Sequence, residues 1–384
     1  MRVLHVAALP FPTHQGTQAL LRTMLESEAQ AGRDSHLLTY AAAGYAYTPP
    51  FVHHQVADFP QVRSLRSGPS VGKVVLDLQL VRSLRSLSSR LRPQAIVAHH
   101  VEAAAAVVFA GGAPWCFVAH TDLGAELPYY GHPRLSAPLA RVGRTLDRWL
   151  LRRAPYTAAV SPMLTQRLRA LCPERSSKIT YLPPVMSAAQ VTLERALARQ
   201  QLGISTRERV LLYAGNLDPY QGWQQLLQIL ARVRSQEKTA TLLVATASSA
   251  QPLHEQACRL GLRRALRVVD VAGELQRARI HAAADVSLVV RKAQGGVPIK
   301  LLDAMARGTP TVLGPTAAAG LNVADACALT ADGSVEALAA EVLSLLWQPD
   351  RASALARAAR RYVAHEHSAT TYLRVLDNLL SAVI

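Results

Sequence analysis

One stretch of the chain combines residue types that could hold a nucleotide diphosphate. Residues 289–313, VVRKAQGGVPIKLLDAMARGTPTVL, predict a strand, a glycine loop, a helix, a turn and a strand. Gly295 and Gly296 precede the helix, whose N-terminal N–H groups can bind a phosphate, and Lys300 in the first turn supplies a counter-charge. Asp303 lies three residues further on the same face, where its carboxylate can accept two ribose hydroxyls. The alternative is a capped core helix with an ion pair.

A second candidate is the turn PFPTHQGTQ, residues 10–18, between the first predicted strand and the first predicted helix. Gly16 lets the backbone approach a ligand closely, and the helix N-terminus at Thr17 offers free N–H groups. The turn lacks the GxGxxG fingerprint, which disfavours NAD as a ligand. We expect Gly16 and Thr17 to line a cleft, with an ordinary strand-to-helix turn as the alternative.

A third candidate, VAHTDLGAE at residues 118–126, ends a later predicted strand with His120 and Asp122. A histidine at such a position can bind a sugar hydroxyl or serve as an acid or base. A single histidine is more often a structural hydrogen-bonding group, which is the alternative for His120. His99 and His100, at the end of another strand, give a weaker form of the same signal.

Short apolar runs alternate with amphipathic helices almost throughout, and this rhythm places the candidates at strand ends. It begins at residues 3–9, and a fresh series opens at residues 210–214. The pattern predicts an α/β fold of two doubly wound, Rossmann-like domains facing a central cleft, with ligands at the carboxyl ends of the strands. Residues 41–72, rich in Pro, Gly and His, predict an irregular insertion. The predicted division is an N-terminal domain at 1–185, a C-terminal domain at 186–365, and a helix crossing back at 366–384.

The motif at residues 289–313 resembles the donor-site motif of retaining glycosyltransferases of family 4, which have the GT-B fold. In that family a glycine loop precedes a helix with an acidic residue, followed by Ala-Met-Ala, a Gly and a Pro. YAGNLDPYQGW at 213–223 looks like the family's opening of the second domain, and QGTQALLRTMLESEAQAGRDSHLLTY at 15–40 like its opening of the first. The resemblance implies catalytic roles for His120 and Lys300 and an acceptor near Gly16, Thr17, His120 and Asp122. It implies a donor nucleotide sugar on Gly215, Asn216, Arg291, Gly295, Gly296, Lys300 and Asp303.

The chain departs from the family pattern where the family usually has two glutamates separated by seven residues. Asp303 matches the second glutamate, but Gly295 stands at the place of the first. In the family that first glutamate usually contacts the donor sugar. A family branch with Pro-x-Lys before the acidic residue exists, so the chain is predicted to be such a variant, with an inactive copy as the alternative.

A second departure concerns the cations that often contact the diphosphate in this family. Asn216 and Gln221 stand at the places of an Arg and a Lys. We expect Lys300, together with Arg291 or Lys292, to supply the missing positive charge.

The chain is strongly basic, with 42 Lys and Arg against 26 Asp and Glu, a net charge of +16 and a pI near 10.3. Residues 1–185 hold 20 basic and 10 acidic residues, or +10, which leaves +6 for the rest. Such charge favours a polyanion or an anionic membrane face as a neighbour. A nucleic acid is disfavoured because aromatic residues make up only 5% of the chain and no stacking or helix-turn-helix motif is present.

One predicted helix in the first half concentrates this basic charge. We expect its apolar residues Val142, Leu146 and Leu150 to pack inward, which would turn the opposite face toward solvent or anionic lipid. Solvated arginines on an ordinary surface helix are the alternative. The arginines of that face are Arg141, Arg144, Arg148 and Arg152.

Cysteine spacing and hydropathy exclude several classes of protein. The four cysteines, at 116, 172, 258 and 327, form no CxxC pair, so a disulfide framework and a zinc site are disfavoured and a reducing cytoplasm is expected. The first apolar run is too short for a signal peptide. The longest uncharged stretch, 103–119, is interrupted by glycines and a proline, so no membrane span is expected. No Asp-x-Asp pair is present, so the sequence requires no metal or cofactor.

The sequence therefore predicts a glycosyltransferase that moves a sugar from a UDP- or GDP-linked donor to an acceptor in cell-surface polysaccharide or glycolipid synthesis. Retention of anomeric configuration is implied by the resemblance. We expect a cytoplasmic protein, bound peripherally to the inner membrane face. The alternatives are a non-catalytic nucleotide-sugar-binding partner of a transferase and a transferase with a soluble small acceptor.

Overall fold

The computed structural model describes residues 1–13, 16–41, 47–56, 71–130, 132–186, 191–271 and 273–384. The chain divides into two compact units, one of residues 1–185 with 369–384 and one of residues 186–368. Each unit contains one sheet with flanking helices, and the strand pairings of the described residues are parallel. The predicted α/β class with two doubly wound domains is therefore confirmed.

The first unit is built on a seven-stranded sheet in the order β3-β2-β1-β4-β5-β6-β7. The order reverses between β1 and β4, which is where doubly wound sheets open a crevice for ligands. Residues 3–9 of β1 form an unbroken apolar stretch except for one histidine, and most are fully buried because helices cover both faces. The strands are β1 Arg2–Phe11, β2 Asp34–Ala41, β3 Val52–Gln55, β4 Ala95–His99, β5 Trp115–Ala119, β6 Tyr156–Ala159 and β7 Ile179–Tyr181.

Six helices of the first unit follow these strands and cover the sheet. Leu80, Leu84 and Leu87 of the long second helix are buried in the core, at the spacing of one helical face. The helices are α1 Gly16–Gln30, α2 Val71–Leu91, α3 His100–Ala110, α4 Leu123–Glu126, α5 Ser136–Arg153 and α6 Pro162–Leu171. Short 3-10 helices span Leu127–Tyr129, Pro133–Leu135 and Pro173–Lys178.

The second unit has a six-stranded sheet in the order β10-β9-β8-β11-β12-β13, which reverses between β8 and β11. Its core joins Leu211 and Tyr213 of β8 to Leu226 and Leu230 of the following helix. The strands are β8 Arg209–Ala214, β9 Ala240–Ala245, β10 Leu266–Val269, β11 Val286–Val289, β12 Thr311–Leu313 and β13 Ala328–Leu329. The helices are α7 Arg195–Gln201, α8 Gln224–Gln236, α9 Gln251–Arg259, α10 Gly273–Ala283, α11 Ile299–Arg307, α12 Pro315–Ala318, α13 Val335–Trp347 and α14 Pro349–Glu366, with 3-10 helices at Pro219–Gln221 and Arg263–Ala265.

The last helix, α15 Ala369–Val383, belongs to the first unit. Tyr372 is 1% exposed, and its hydroxyl donates a hydrogen bond to Glu28 of α1 over 2.8 Å. Arg33 forms an ion pair with Asp377 at the same contact. These two polar contacts, together with an apolar face that includes Leu376, therefore hold α15 against the first unit.

The prediction that Val142 and Leu146 of α5 pack inward is wrong. Their exposed fractions are 53% and 43%, whereas Leu150 is buried as predicted and shares the inner face with Gly143 and Asp147. The reason is a close contact with α4, whose backbone N–H groups at residues 123 and 124 donate to Asp147 over 3.2 and 3.0 Å. A Cβ on Gly143 would lie 2.5 Å from the carbonyl carbon of residue 123, so no larger residue fits there.

The predicted irregular insertion at 41–72 contains the edge strand β3, whose sequence VHHQ has a single apolar residue and gave no strand signal. The rest of that prediction at 42–46 and 57–70 lies outside the described residues. Among the helices of the described ranges, none is long and apolar enough to cross a membrane.

Candidate functional site

The side chain of Lys300 lies where the second sheet reverses its strand order. It sits in the first turn of α11 and reaches back to β8, so that its Nζ donates to the Tyr213 hydroxyl over 2.9 Å and to Gln221 Oε1 over 2.8 Å. The ammonium also lies 4.2 Å from the centre of the Tyr213 ring, a cation–π contact. Burial, together with the positive charge of Arg291, holds the pKa of Lys300 well below 10.5. The amine is thus held by uncharged groups and has no described carboxylate partner.

Gly215 and Asn216 lie directly beside this lysine at the carboxyl end of β8. A Cβ at residue 215 would lie 3.4 Å from Lys300 Nζ, so the backbone passes within van der Waals distance of the ammonium here. The Tyr213 hydroxyl donates to the Asn216 carbonyl over 2.7 Å, which turns its oxygen lone pairs toward the lysine. Asn216 Nδ2 donates to Asp218 over 2.7 Å, while its Oδ1 is buried with no hydrogen-bond partner in the described part of the chain.

The loop after β11 is joined to the loop after β8. The backbone N–H groups of Lys292 and Ala293 both donate to the Tyr220 carbonyl, over 3.0 and 3.2 Å. Arg291 turns inward and donates to the Gly296 carbonyl, whereas Lys292 is exposed and its stem lies against Gly222. The sequence left open whether Arg291 or Lys292 accompanies Lys300. The structure holds the loop that carries both cations against the loop after β8, at the carboxyl ends of the strands.

Gly295 and Gly296 are both buried in the turn that leads into α11. Residue 295 therefore contributes backbone alone at this point of the loop. Pro298 caps the helix in an extended conformation, with φ −66° and ψ 116°. The segment is built as the sequence predicted, as a glycine loop followed by a helix N-terminus.

Asp303 is placed one turn beyond Lys300 and is bound to cationic and imidazole groups. Arg307 Nε donates to its Oδ1 over 2.9 Å, and His281 Nε2 lies 3.5 Å from its Oδ2. Burial would raise the pKa of Asp303, but the neighbouring imidazole of His281 and the charge of Arg307 hold the pKa below 3.8. Arg307 also donates to both oxygens of Glu274 over 2.8 Å. The carboxylate is therefore ionised and oriented, with lone pairs left to accept hydroxyls.

In the first unit, His120 and Asp122 follow β5, and Gly16 and Thr17 begin α1 after β1. The two strands end at the same edge of the sheet, separated by β4. His120 is 5% exposed, and its Nε2 lies 3.1 Å from His99 Nδ1. The structure thus places His120 at the end of β5, one strand beyond the reversal point between β1 and β4, and in contact with the last residue of β4.

Asp122 has a structural role as the N-cap of α4. Its Oδ1 accepts the Ala125 N–H over 2.8 Å and a hydrogen bond from Arg167 over 3.0 Å. Burial raises the pKa of Asp122, although Arg167 and the Ala125 N–H oppose the shift. Its second oxygen, Oδ2, is buried without a hydrogen-bond partner among the residues described.

Several residues beside these sites were not found from the sequence. Tyr213 and His281 were hidden inside predicted strand and helix patterns, and Glu274 and Arg307 resembled surface charges on helices. Tyr213 carried the one usable signal, since a tyrosine within a buried strand needs a partner for its hydroxyl and stands two residues before Gly215.

Two family models match the chain, one for each half. The model described as Glycosyltransferase Family 4 matches residues 15–188, and the model described as Glycosyl transferases group 1 matches residues 208–348. Together they cover more than half of the chain, which belongs to the glycosyltransferases.

Similar proteins agree with that class. The chain is 29% identical over 196 residues to the D-inositol 3-phosphate glycosyltransferase of Segniliparus rotundus, a match that covers 49% of this chain and 43% of the relative. The chain thus spans less than half the length of this curated relative.

Solved structures with the same fold cover the whole chain. Sucrose-phosphate synthase from Thermosynechococcus elongatus has a TM-score of 0.83 at 17% identity over 100% of both chains. HepE from Anabaena, in complex with UDP and glucose, has a TM-score of 0.76 at 16% identity over 99% of this chain and 100% of its own. WaaG, a glycosyltransferase of lipopolysaccharide biosynthesis, has a TM-score of 0.73 at 18% identity over 98% and 99%. The fold is therefore GT-B.

Proposed function

We propose that this protein transfers a sugar from a UDP- or GDP-linked donor, with retention, to an acceptor in cell-surface polysaccharide or glycolipid synthesis. The second unit holds the donor nucleotide and the first unit holds the acceptor. The donor class is supported by the Anabaena protein of the same fold, whose structures contain UDP, glucose and UDP-glucose. Synthesis of a surface glycan is supported by the fold shared with WaaG.

The main support for the proposal is the position of Lys300 and the hydrogen-bond partners of its ammonium. Its ammonium is held by Tyr213 and Gln221, two neutral acceptors, at the reversal point of a parallel sheet. Neutral acceptors position a cation without neutralising it, so its charge is available to an anion. A diphosphate beside Gly215 and the α11 N-terminus would bind both the ammonium and the helix amides.

The remaining residues of the second-unit site each bind a different part of the donor nucleotide sugar. Asp303, ionised and oriented by Arg307, accepts the ribose hydroxyls, and Arg291 adds positive charge near the diphosphate. Gly295 and Gly296 let the backbone approach the donor sugar, and Asn216 presents a buried acceptor to it.

Catalysis in this proposal is mostly electrostatic. Lys300 stabilises the charge that develops on the leaving diphosphate, and binding of both the donor and the acceptor aligns the reacting groups. The leaving phosphate helps to deprotonate the acceptor on the same face of the sugar, which produces retention. In the first unit, His120 binds a substrate hydroxyl, with Gly16 and Thr17 at the same sheet edge.

Incubation of the full chain with a panel of UDP- and GDP-sugars and glycolipid acceptors tests this function. We expect acceptor-dependent release of UDP or GDP from one donor, with the product linkage shown by NMR to keep the donor's anomeric configuration. Tight binding of a nucleotide sugar without release for any acceptor would favour the non-catalytic binding partner instead. Release with water-soluble acceptors alone would favour the soluble small acceptor.

The structure also favours peripheral binding to an anionic membrane, through the outer face of α5. Val142 and Leu146 are exposed beside Arg141, which has no described side-chain partner. Two of the four predicted arginines are partly engaged, since Arg148 donates to the Leu171 carbonyl over 3.2 Å and Arg152 pairs with Glu174. Apolar groups that insert and cations that meet headgroups together define an interfacial surface. The predicted location, cytoplasmic at the inner membrane face, depends on this proposal.

A further inference from the structure

A line of three buried imidazoles runs through the first sheet from Glu28 to His120. His5 Nε2 lies 3.2 Å from Glu28 Oε2, His5 Nδ1 lies 3.0 Å from His99 Nε2, and His99 Nδ1 lies 3.1 Å from His120 Nε2. The four side chains are between 0% and 5% exposed. The line crosses β1, β4 and β5, the strands on either side of the reversal point.

The carboxylate of Glu28 fixes the direction of the first hydrogen bond. Tyr372 donates its hydroxyl proton to Oε1 over 2.8 Å, Ser35 donates to Oε2 over 2.8 Å, and Arg33 Nε lies 3.6 Å from Oε2. Burial would raise the pKa of Glu28, but the contact with His5, the hydrogen bond from the Tyr372 hydroxyl and the charge of Arg33 hold the pKa below 4.5. An ionised carboxylate only accepts hydrogen bonds, so His5 Nε2 carries a proton and donates.

The remaining directions hold for the form in which all three imidazoles are neutral, each with one donor nitrogen and one acceptor nitrogen, whereas a doubly protonated His5 would donate from both nitrogens and reverse them. His5 Nδ1 accepts from His99 Nε2–H, and His99 Nδ1 accepts from His120 Nε2–H. Burial, together with neighbouring histidines, lowers the pKa of His99 and His120 well below 6.5, so both are neutral. His100 stacks on His120 with ring centres 4.3 Å apart and is a further titratable group against its ring.

We propose that Glu28, His5 and His99 are positioning residues that fix His120 as the Nε2–H tautomer, so that its Nδ1 accepts a hydrogen bond from a substrate hydroxyl. The line sets both the tautomer and the ring orientation of His120 from a carboxylate three hydrogen bonds away. The role for the substrate hydroxyl rests on the proposed function, whereas the tautomer does not.

NMR of the full chain with nitrogen-15 histidine, in mildly alkaline buffer, reads the tautomer directly. We expect His5, His99 and His120 to show the Nε2–H pattern in long-range proton–nitrogen spectra, each assigned by the loss of its signals in a single His→Asn variant. An Nδ1–H tautomer at His120 of the wild-type chain would overturn the proposal. This readout needs no activity, so a failure to detect transfer would contradict the proposed function alone.

Glu28→Gln tests the positioning itself. A carboxamide can donate to His5 Nε2 as well as accept, which permits the reverse direction along the whole line. We expect an Nδ1–H population at His120 and a kcat about ten- to a hundredfold lower, the range for groups that orient a metal-bound imidazole, with nucleotide affinity unchanged. Unchanged kcat and an unchanged tautomer in the folded variant would contradict the proposal.

Tyr372→Phe is the matched control, because it removes a hydrogen bond to the same carboxylate but leaves the charge that directs the imidazoles. We expect its thermal stability to fall while the His120 tautomer and kcat stay at wild-type values. An equal loss of kcat in Tyr372→Phe and Glu28→Gln would show that only packing around Glu28 matters, and would also overturn the proposal.

Discussion

Burial and the charge of Arg291 hold the pKa of Lys300 well below 10.5 in the free protein. A bound diphosphate would raise that pKa again, because its negative charge favours the ammonium form. We therefore predict that UDP or GDP binding takes up as much as about one proton at pH values between the lowered pKa and 10.5. In the same interval affinity falls as the pH rises, since the free protein must first be protonated.

Calorimetric titrations in two buffers of different ionisation enthalpy measure this proton uptake. Lys300→Met keeps most of the length of the side chain without the charge, and we expect it to abolish the uptake. Equal uptake in the wild-type chain and in Lys300→Met would assign the proton to another group and contradict the role given to Lys300.

Asp303 is predicted to accept the ribose hydroxyls through hydrogen bonds to a charged oxygen, each of ~1.5–3 kcal/mol. Asp303→Ala should weaken nucleotide binding by at least about tenfold, as measured by calorimetry. Glu274→Gln is the matched control, since it loosens the other side of the Arg307 ion pair without touching a ribose acceptor. If both variants weaken nucleotide binding by the same factor, Asp303 acts only through the position of Arg307.

At the scale of elements, the contact between α4 and α5 gives glycine at residue 143 an unusual importance. Replacing glycine by alanine inside a helix ordinarily stabilises a protein by about 0.5–1 kcal/mol. Here the added Cβ would lie 2.5 Å from the carbonyl of Leu123, so we predict that Gly143→Ala lowers the free energy of unfolding by about 1–3 kcal/mol. Urea unfolding measures this, with the exposed Thr145→Ala as control. A stabilised Gly143→Ala would mean that α4 does not approach α5 this closely.

The outer face of α5 is predicted to bind anionic vesicles. Each basic residue near the membrane surface contributes about 1 kcal/mol to the binding free energy, and salt screens this contribution. Insertion of Val142 and Leu146 adds a contribution from apolar contact. Cosedimentation with anionic vesicles should therefore fall in the double variant Val142→Ser, Leu146→Ser and in high salt, with little binding to neutral vesicles at any salt. Leu275→Ser, a 52% exposed leucine of α10, serves as control. No sedimentation of the wild-type chain at low salt would contradict the membrane proposal and leave the transferase assignment intact.

At the scale of the whole molecule, the sequence predicted the fold class because alternation of strands and helices is a local, repeated pattern. Strand β3 escaped because an edge strand has little apolar surface to bury. The inward face of α5 was predicted wrongly for a different reason. A glycine and a carboxylate lie on that face because they contact the backbone of α4, and the periodicity of apolar residues does not indicate such a contact. The glycine loop and helix N-terminus before Lys300 were predictable, since their geometry is encoded by neighbouring residues.

The parts of the candidate sites that the sequence could not give are the long-range pairings. Lys300 meets Tyr213 across 87 positions of the chain, and His5 meets His99 across 94. Each of these residues alone is compatible with an ordinary core or surface position. Parallel strand order brings them together, and that order becomes visible only when the sheet is assembled.

The donor site at Lys300 is tested most directly by calorimetric titrations of the wild-type chain and of Lys300→Ala. These titrations compare the binding of UDP and GDP with that of their free nucleosides. We predict that one diphosphate binds much more tightly than its nucleoside to the wild-type chain, and that Lys300→Ala removes most of that difference while it leaves nucleoside binding in place. Equal losses for nucleoside and diphosphate, or no binding of either diphosphate to the wild-type chain, would contradict the donor site at Lys300 and with it the proposed transferase mechanism.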